Sequence, residues 1–220
     1  MPMAEIVDRL EAAYGRAVLR TRRPALDELV LTILSQNTSD RNSEHAYARM
    51  RERFPAWEDV RDAPEAELVE ALRPGGLAAQ KAPRIQAVLR DLERLDLGWL
   101  ADLPSDEAMR WLVALPGVGP KTASCVLLFS LDVPVMPVDT HIHRIALRVG
   151  LVPAGTGADA AHALLTEMTP PERMLEAHLL LIRHGRTTCT ARRPRCEECV
   201  LLDLCDYGRS LRPPADGTVR

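Results

Sequence analysis

Four of the five cysteines fall inside seventeen residues, in the stretch CTARRPRCEECVLLDLC from Cys189 to Cys205. Their spacing is Cys-x6-Cys-x2-Cys-x5-Cys, through Cys189, Cys196, Cys199 and Cys205. Four thiolates within one short loop are a metal-binding set, of the kind that holds either a tetrahedral zinc ion or an iron–sulfur cluster. Two Cys-x2-Cys pairs would be the usual zinc arrangement, and here there is one. Arg192, Arg193 and Arg195 stand between the first two cysteines and make that part of the loop basic. The fifth thiol, Cys125, lies in an apolar run and is expected to be an inert core side chain.

A second group of residues is LPGVGPKTA, from Leu115 to Ala123. Gly117 and Gly119 flank Val118, Pro116 stops what precedes, and Pro120 suits the first position of a new helix. Such a hairpin is either an ordinary helix–helix turn or, since it presents backbone N–H groups beside a positive helix end, a site for one phosphate. Lys121 then sits in the first helical turn, where the macrodipole disfavours a cation. It is one of two lysines, with Lys81, among 28 basic residues, so a generic positive charge is elsewhere supplied by arginine. An amine can form a Schiff base and a guanidinium cannot, so Lys121 is a candidate nucleophile.

A third group is VDTHIHR, from Val138 to Arg144. Asp139 precedes a helical run and is expected to cap it. Its carboxylate is also a candidate for chemistry. His141 and His143 do not share a helix face, which argues against a metal pair.

The elements that must position these residues are helices. Apolar residues recur at helical spacing through Leu26–Leu34, Ile85–Leu95, Ile142–Val149 and Met174–Ile182, and nothing alternates with period two over a useful length. The expected class is all-α, with about ten short helices. VPVMPV, from Val133 to Val138, is extended but carries two prolines, so it is expected as a connector. Gln36-Asn37-Thr38-Ser39 is a polar helix end, with Ser39 or Asp40 available as the next cap. Net charge is −3, which by itself disfavours a polyanion partner, yet the arginines cluster between Arg183 and Arg195. No apolar run approaches a membrane span, and the first ten residues lack the pattern of a secretory signal. A cytoplasmic protein with reduced thiols is therefore expected, with no membrane partner. Residues 207–220 are expected to form a flexible tail.

Taken in order, LPGVGPKTA, VDTHIHR and the four-cysteine spacing resemble the endonuclease III family of DNA glycosylases, over about Leu26 to Cys205. That resemblance implies a two-lobed helix-hairpin-helix fold. Residues 24–137 would form a six-helix domain with the hairpin, and residues 1–23 plus 138–206 a helical domain with the cluster loop. It implies a 4Fe-4S cluster on Cys189, Cys196, Cys199 and Cys205, with Lys121 and Asp139 as catalytic residues. Gly117, Val118, Gly119, Arg192, Arg193 and Arg195 would contact the DNA backbone. Gln36 or Asn37 would fill the gap left by a flipped nucleotide. The implied activity is removal of damaged, oxidised pyrimidines from double-stranded DNA, with cleavage at the resulting abasic site, by a monomer. The family's usual Ala-Gln-Ala-Thr-Asp is replaced here by Gln36-Asn37-Thr38-Ser39-Asp40, closer to a branch that removes alkylated purines. Alkylated or mismatched bases are thus alternative substrates. A non-catalytic hairpin module and a zinc-stabilised structural protein are the alternatives outside catalysis.

Overall fold

A computed structural model describes residues 3–19 and 21–211. Among them are twelve α-helices and no strand: α1 (Met3–Tyr14), α2 (Ala25–Ser35), α3 (Asp40–Arg53), α4 (Trp57–Asp62), α5 (Glu65–Leu72), α6 (Ala78–Asp91), α7 (Ser105–Val113), α8 (Pro120–Leu131), α9 (Thr140–Val149), α10 (Ala158–Met168), α11 (Met174–Thr187) and α12 (Asp206–Ser210). No described helix is long and apolar enough to cross a membrane. The expected tail lies outside the described residues from position 212 onward, while residues 206–210 form α12.

The chain divides into two compact units, Thr21–Val133 and Met1–Arg20 with Pro134–Arg220. In the first, α8 packs against α2 at the centre. Every residue of α8 from Thr122 to Leu128 is buried. A helix apolar on all sides has no solvent face to keep and belongs in the middle of its unit. Eight residues of α2 are buried too, among them Leu29, Ile33 and Leu34. Phe129, just beyond the enclosed stretch, is half-buried.

In the other unit α11 packs against both α1 and α9, and α12 packs against α9. Gly185 of α11 makes the α9 contact possible, since a Cβ there would stand 2.7 Å from the Cβ of His141. The extended Val133–Val138 segment pairs with no strand among the described residues. Val133 N–H donates to the Leu127 carbonyl at 3.0 Å, and side chains meet the segment further on: Thr166 Oγ1 accepts from Met136 N–H at 2.9 Å, and His178 Nδ1 lies 3.1 Å from the Pro137 carbonyl. His178, aligned with an apolar stripe in the sequence, is thus a bonded core histidine.

Candidate catalytic and metal-binding sites

The hairpin of the Thr21–Val133 unit runs from Ala114, the C-cap of α7, to Gly119, the N-cap of α8. Its two glycines serve different ends. Gly117 has φ of 72°, a left-handed conformation that favours glycine. A Cβ there would also lie 2.6 Å from Arg84 Cδ and Nε. Gly119 is extended, and a Cβ on it would meet nothing within 4 Å. What its small size leaves is open space at the head of α8. Val118 departs from the expected pattern. Its side chain is 4% exposed, and its N–H is spent on the Leu115 carbonyl at 3.1 Å. Outward donors therefore come from Gly119 and the first turn of α8, whose N–H groups have no carbonyl behind them within the helix.

Pro120 holds the first helical position and Lys121 the second, half-buried. Glu28 of α2 is within electrostatic reach of Lys121. Burial pushes the Glu28 carboxyl above its usual range, while Arg23, a 3.3 Å hydrogen bond from Thr32 and the Lys121 charge pull it back.

Gln36 and Asn37 follow the end of α2 and differ sharply. Gln36 Oε1 accepts from Arg84 Nη1 at 2.8 Å, and its Nε2 donates over 3.5 Å to Thr122 Oγ1, beside Lys121. Gln36 is thereby fastened to the protein. Asn37 is exposed and left-handed, with φ of 55°. Ser39, rather than Asp40, caps α3 by accepting from Asn42 N–H. Three residues of this region were not singled out in the sequence. Arg84 braces both Gly117 and Gln36. Leu77, 46% exposed, is left-handed with φ of 52°. Lys81 is buried, and the scarcity of lysine was the one signal that pointed to it.

Asp139 belongs to the other unit. It caps α9, with Oδ1 accepting from the N–H groups of His141 at 2.9 Å and Ile142 at 2.8 Å. Both cap bonds use one oxygen, and Oδ2 takes no part in the cap. One helical turn apart on α9, Arg144 and Arg148 grip the start of the cysteine loop. Arg144 donates to the carbonyls of Cys189 (2.8 Å) and Gly185 (2.9 Å), and Arg148 to those of Thr190 (2.8 Å) and Ala191 (2.9 Å). Their sequence signal is only an i, i+4 pair of arginines in an arginine-rich chain.

Cys189, Cys196, Cys199 and Cys205 line one pocket that opens to solvent. Among the described residues no three His, Cys, Asp or Glu side chains converge tightly enough to hold a single metal ion. A tetrahedral zinc, with sulfur at about 2.3 Å, would require that convergence. Four thiols spread around a cavity fit a larger group that brings bridging sulfides of its own. Donors already face the sulfurs: Leu201 N–H to Cys199 Sγ at 3.4 Å, Gly208 N–H to Cys205 Sγ at 3.3 Å, and Arg148 Nη1 to Cys189 Sγ at 3.4 Å. Burial, with the other cysteines adding, pushes the Cys199 and Cys205 thiols up, so loading iron must displace protons. His184, pushed down to about 4 by burial, is a neutral imidazole 3.7 Å from Cys199 Sγ and 2.8 Å from the Tyr14 hydroxyl.

The three loop arginines also part company. All three are exposed. Arg195 donates to the Thr187 carbonyl at 2.6 Å and pairs with Glu198 at 3.5 Å, so it pins the loop. Changing Arg192 and Arg193 to Ser is expected to weaken binding to any duplex and to reduce the salt slope by roughly one unit per lost phosphate contact, with iron retained. Cys199→Ser is expected to lose iron and the visible absorption of the fresh protein. Salt-titrated binding and an absorption spectrum of both variants check this, and an unchanged slope would leave the two arginines with no part in DNA binding.

Residues 30–171 match the family model of HhH-GPD superfamily base excision DNA repair proteins, and residues 189–205 match the iron–sulfur binding domain of endonuclease III. Endonuclease III of Treponema pallidum is 40% identical over 185 residues, covering 80% of this chain and 81% of that protein. Endonuclease III of Escherichia coli K12 is 36% identical over 186 residues, covering 81% and 82%. A candidate DNA glycosylase of Arabidopsis thaliana is 40% identical over 165 residues, 73% of this chain, which spans 56% of that longer protein. Among solved structures, a trapped endonuclease III–DNA covalent intermediate matches with a TM-score of 0.78 at 28% identity, over 96% of this chain and 98% of that one. A non-covalent endonuclease III–DNA complex matches with a TM-score of 0.77 at 27% identity, over the same shares.

Proposed function

Because this chain belongs to the endonuclease III family, within the HhH-GPD superfamily of base excision DNA repair proteins, we propose that it is a bifunctional DNA glycosylase and abasic-site lyase acting on oxidised pyrimidines in duplex DNA. The observation that carries the reading is Lys121, a lysine in the first turn of α8 directly behind the Gly117–Pro120 turn. A DNA-binding hairpin needs the turn but has no use for a primary amine at the positive end of its helix. The relative whose DNA complex is covalently trapped supports the same chemistry.

The reaction follows from the side chains. The damaged nucleotide leaves the base stack, since its sugar is out of reach inside the duplex. Gly119 and the head of α8 take a backbone phosphate, which brings the sugar to Lys121. The Lys121 amine attacks C1′, the C1′–base bond breaks, and the base departs with a proton. Asp139 supplies the carboxylate that takes up the amine's proton or offsets the positive charge developing on the sugar. The ring C1′–O4′ bond then breaks, the amine's second proton passes to O4′, and an imine forms. The imine makes the C2′ proton acidic, and its removal expels the 3′ phosphate by β-elimination. Cys189, Cys196, Cys199 and Cys205 would hold the 4Fe-4S cluster, whose iron–sulfur bonds close the loop bearing Arg192 and Arg193. One copy supplies every one of these residues.

A single panel tests the proposal. Duplexes with thymine glycol, dihydrouracil, uracil, 3-methyladenine, adenine opposite 8-oxoguanine, or a bare abasic site are incubated with and without borohydride. Strand cleavage at the two oxidised pyrimidines and a borohydride-dependent covalent adduct are expected. Excision of 3-methyladenine alone would move the substrate to alkylated purines, and no adduct on any duplex would remove the lyase.

A further inference from the structure

Lys81 lies one turn into α6 and is 3% exposed. Its ammonium donates to the Leu34 carbonyl at 2.6 Å and to the Gly75 carbonyl at 3.0 Å. Leu34 is in the last turn of α2, where carbonyls have no donor within the helix, and Gly75 ends the short 3-10 turn Arg73–Gly75. Three residues past Leu34 the chain reaches Asn37, and two residues past Gly75 it reaches Leu77. Asn37 and Leu77 are two of the three non-glycine residues with positive φ among those described. A β-carbon in that conformation is strained, and such strain persists only where neighbouring structure enforces it. Both residues face solvent, and for Leu77 this exposes a large aliphatic side chain.

We infer that Lys81 is a positioning residue for opening the duplex, its buried ammonium clasping together the two loops that present Asn37 and Leu77. This rests on the proposal that the chain extracts a base from duplex DNA. Apolar and amide side chains that enter a base stack must push against stacking and pairing. The stack pushes back on the loops that carry them, and a loop free to yield would lose the work done. Charge-assisted hydrogen bonds to two carbonyls resist that yielding. An ammonium suits the task, being compact and rich in donors. Burial pushes its proton affinity down, and the two carbonyls are what keep the charge worth burying.

The test compares two reactions of one variant. Lys81→Met keeps an unbranched chain of similar length but donates nothing. Excision of thymine glycol from a matched duplex requires opening, whereas borohydride trapping on a single strand with a ready-made abasic site uses the same Lys121 chemistry with no duplex to open. The duplex reaction is expected to fall about 10- to 100-fold, the range for hydrogen bonds from a charged group, with single-strand trapping within about twofold of wild type. Added to Leu77→Ala, the Lys81 change is expected to cost less than it does alone, since only Asn37 then remains for the clasp to position. An equal fall in both reactions, no fall, or full multiplication of the two losses would overturn the inference. If Lys81→Met does not fold, wild-type protein labelled with 15N-lysine replaces it. With two lysines, the Lys81 ammonium signal is assignable by comparison with Lys121→Gln. It must shift on binding a duplex with a non-cleavable abasic analogue and stay unmoved with the single strand; no shift with the duplex refutes the clasp. A wild type that traps neither substrate would instead sink the lyase proposal itself.

Discussion

Lys121→Gln is expected to abolish covalent trapping on abasic DNA and to reduce base excision by at least about 10³-fold, as loss of a nucleophile does in other covalent enzymes. Glutamine keeps the polarity and most of the length, so packing at the head of α8 is preserved. The fold should not suffer. Lys121 is half-buried in the first helical turn, and removing a cation there relieves an unfavourable interaction with the helix dipole, worth about 0.3–1 kcal/mol. Lys121 also offsets the half-buried Glu28 carboxylate, so stability should change little while activity collapses. Borohydride trapping, a melting curve and binding to an uncleavable abasic analogue form one experiment. If Lys121→Gln traps as well as wild type, the nucleophile lies elsewhere.

Asp139 separates cap from chemistry through two substitutions. Asp139→Asn keeps an oxygen able to accept from His141 and Ile142, and Asn caps about as well as Asp, so stability should be nearly unchanged. Excision should nonetheless fall about 10²- to 10⁴-fold, the usual contribution of a positioned acid or base. Asp139→Ala should fall as far in activity and in addition lose about 1 kcal/mol of stability with the cap. Full activity in Asp139→Asn would leave Asp139 a cap only.

Local features of this molecule were legible in the sequence and long-range ones were not. Asp139 caps through bonds to residues two and three positions on, and Pro120 begins α8 by its own fixed φ. The cysteines announce themselves by spacing within a single loop. The apolar periods give α2, α9, α11 and the second half of α6, whereas the 14-residue α3 is polar along most of its length, and α4 and α12, at six and five residues, are too short to show a period. The brace from Arg84 to Gln36 spans 48 positions and the clasp from Lys81 to Leu34 spans 47. No local pattern encodes such pairs, because tertiary packing alone decides which distant carbonyl a cation meets. Val118 shows the limit on a smaller scale: flanking glycines suggest an open turn, but its apolar side chain is drawn into the core. Likewise Arg192, Arg193 and Arg195 look alike in sequence, and only the folded loop shows that Arg195 is spent on Thr187 and Glu198.

The enclosure of α8 from Thr122 to Leu128 bears on when Lys121 can move. Elements sheathed in apolar neighbours surrender their amide protons to solvent only when the whole unit unfolds, while helices with a wet face fray far more often. The amine is thus mounted one residue ahead of a stretch of chain that opens last. Thermal fluctuation will disturb the surrounding loops long before it disturbs the nucleophile's anchor, and adaptation to the shape of the DNA falls to the loops alone.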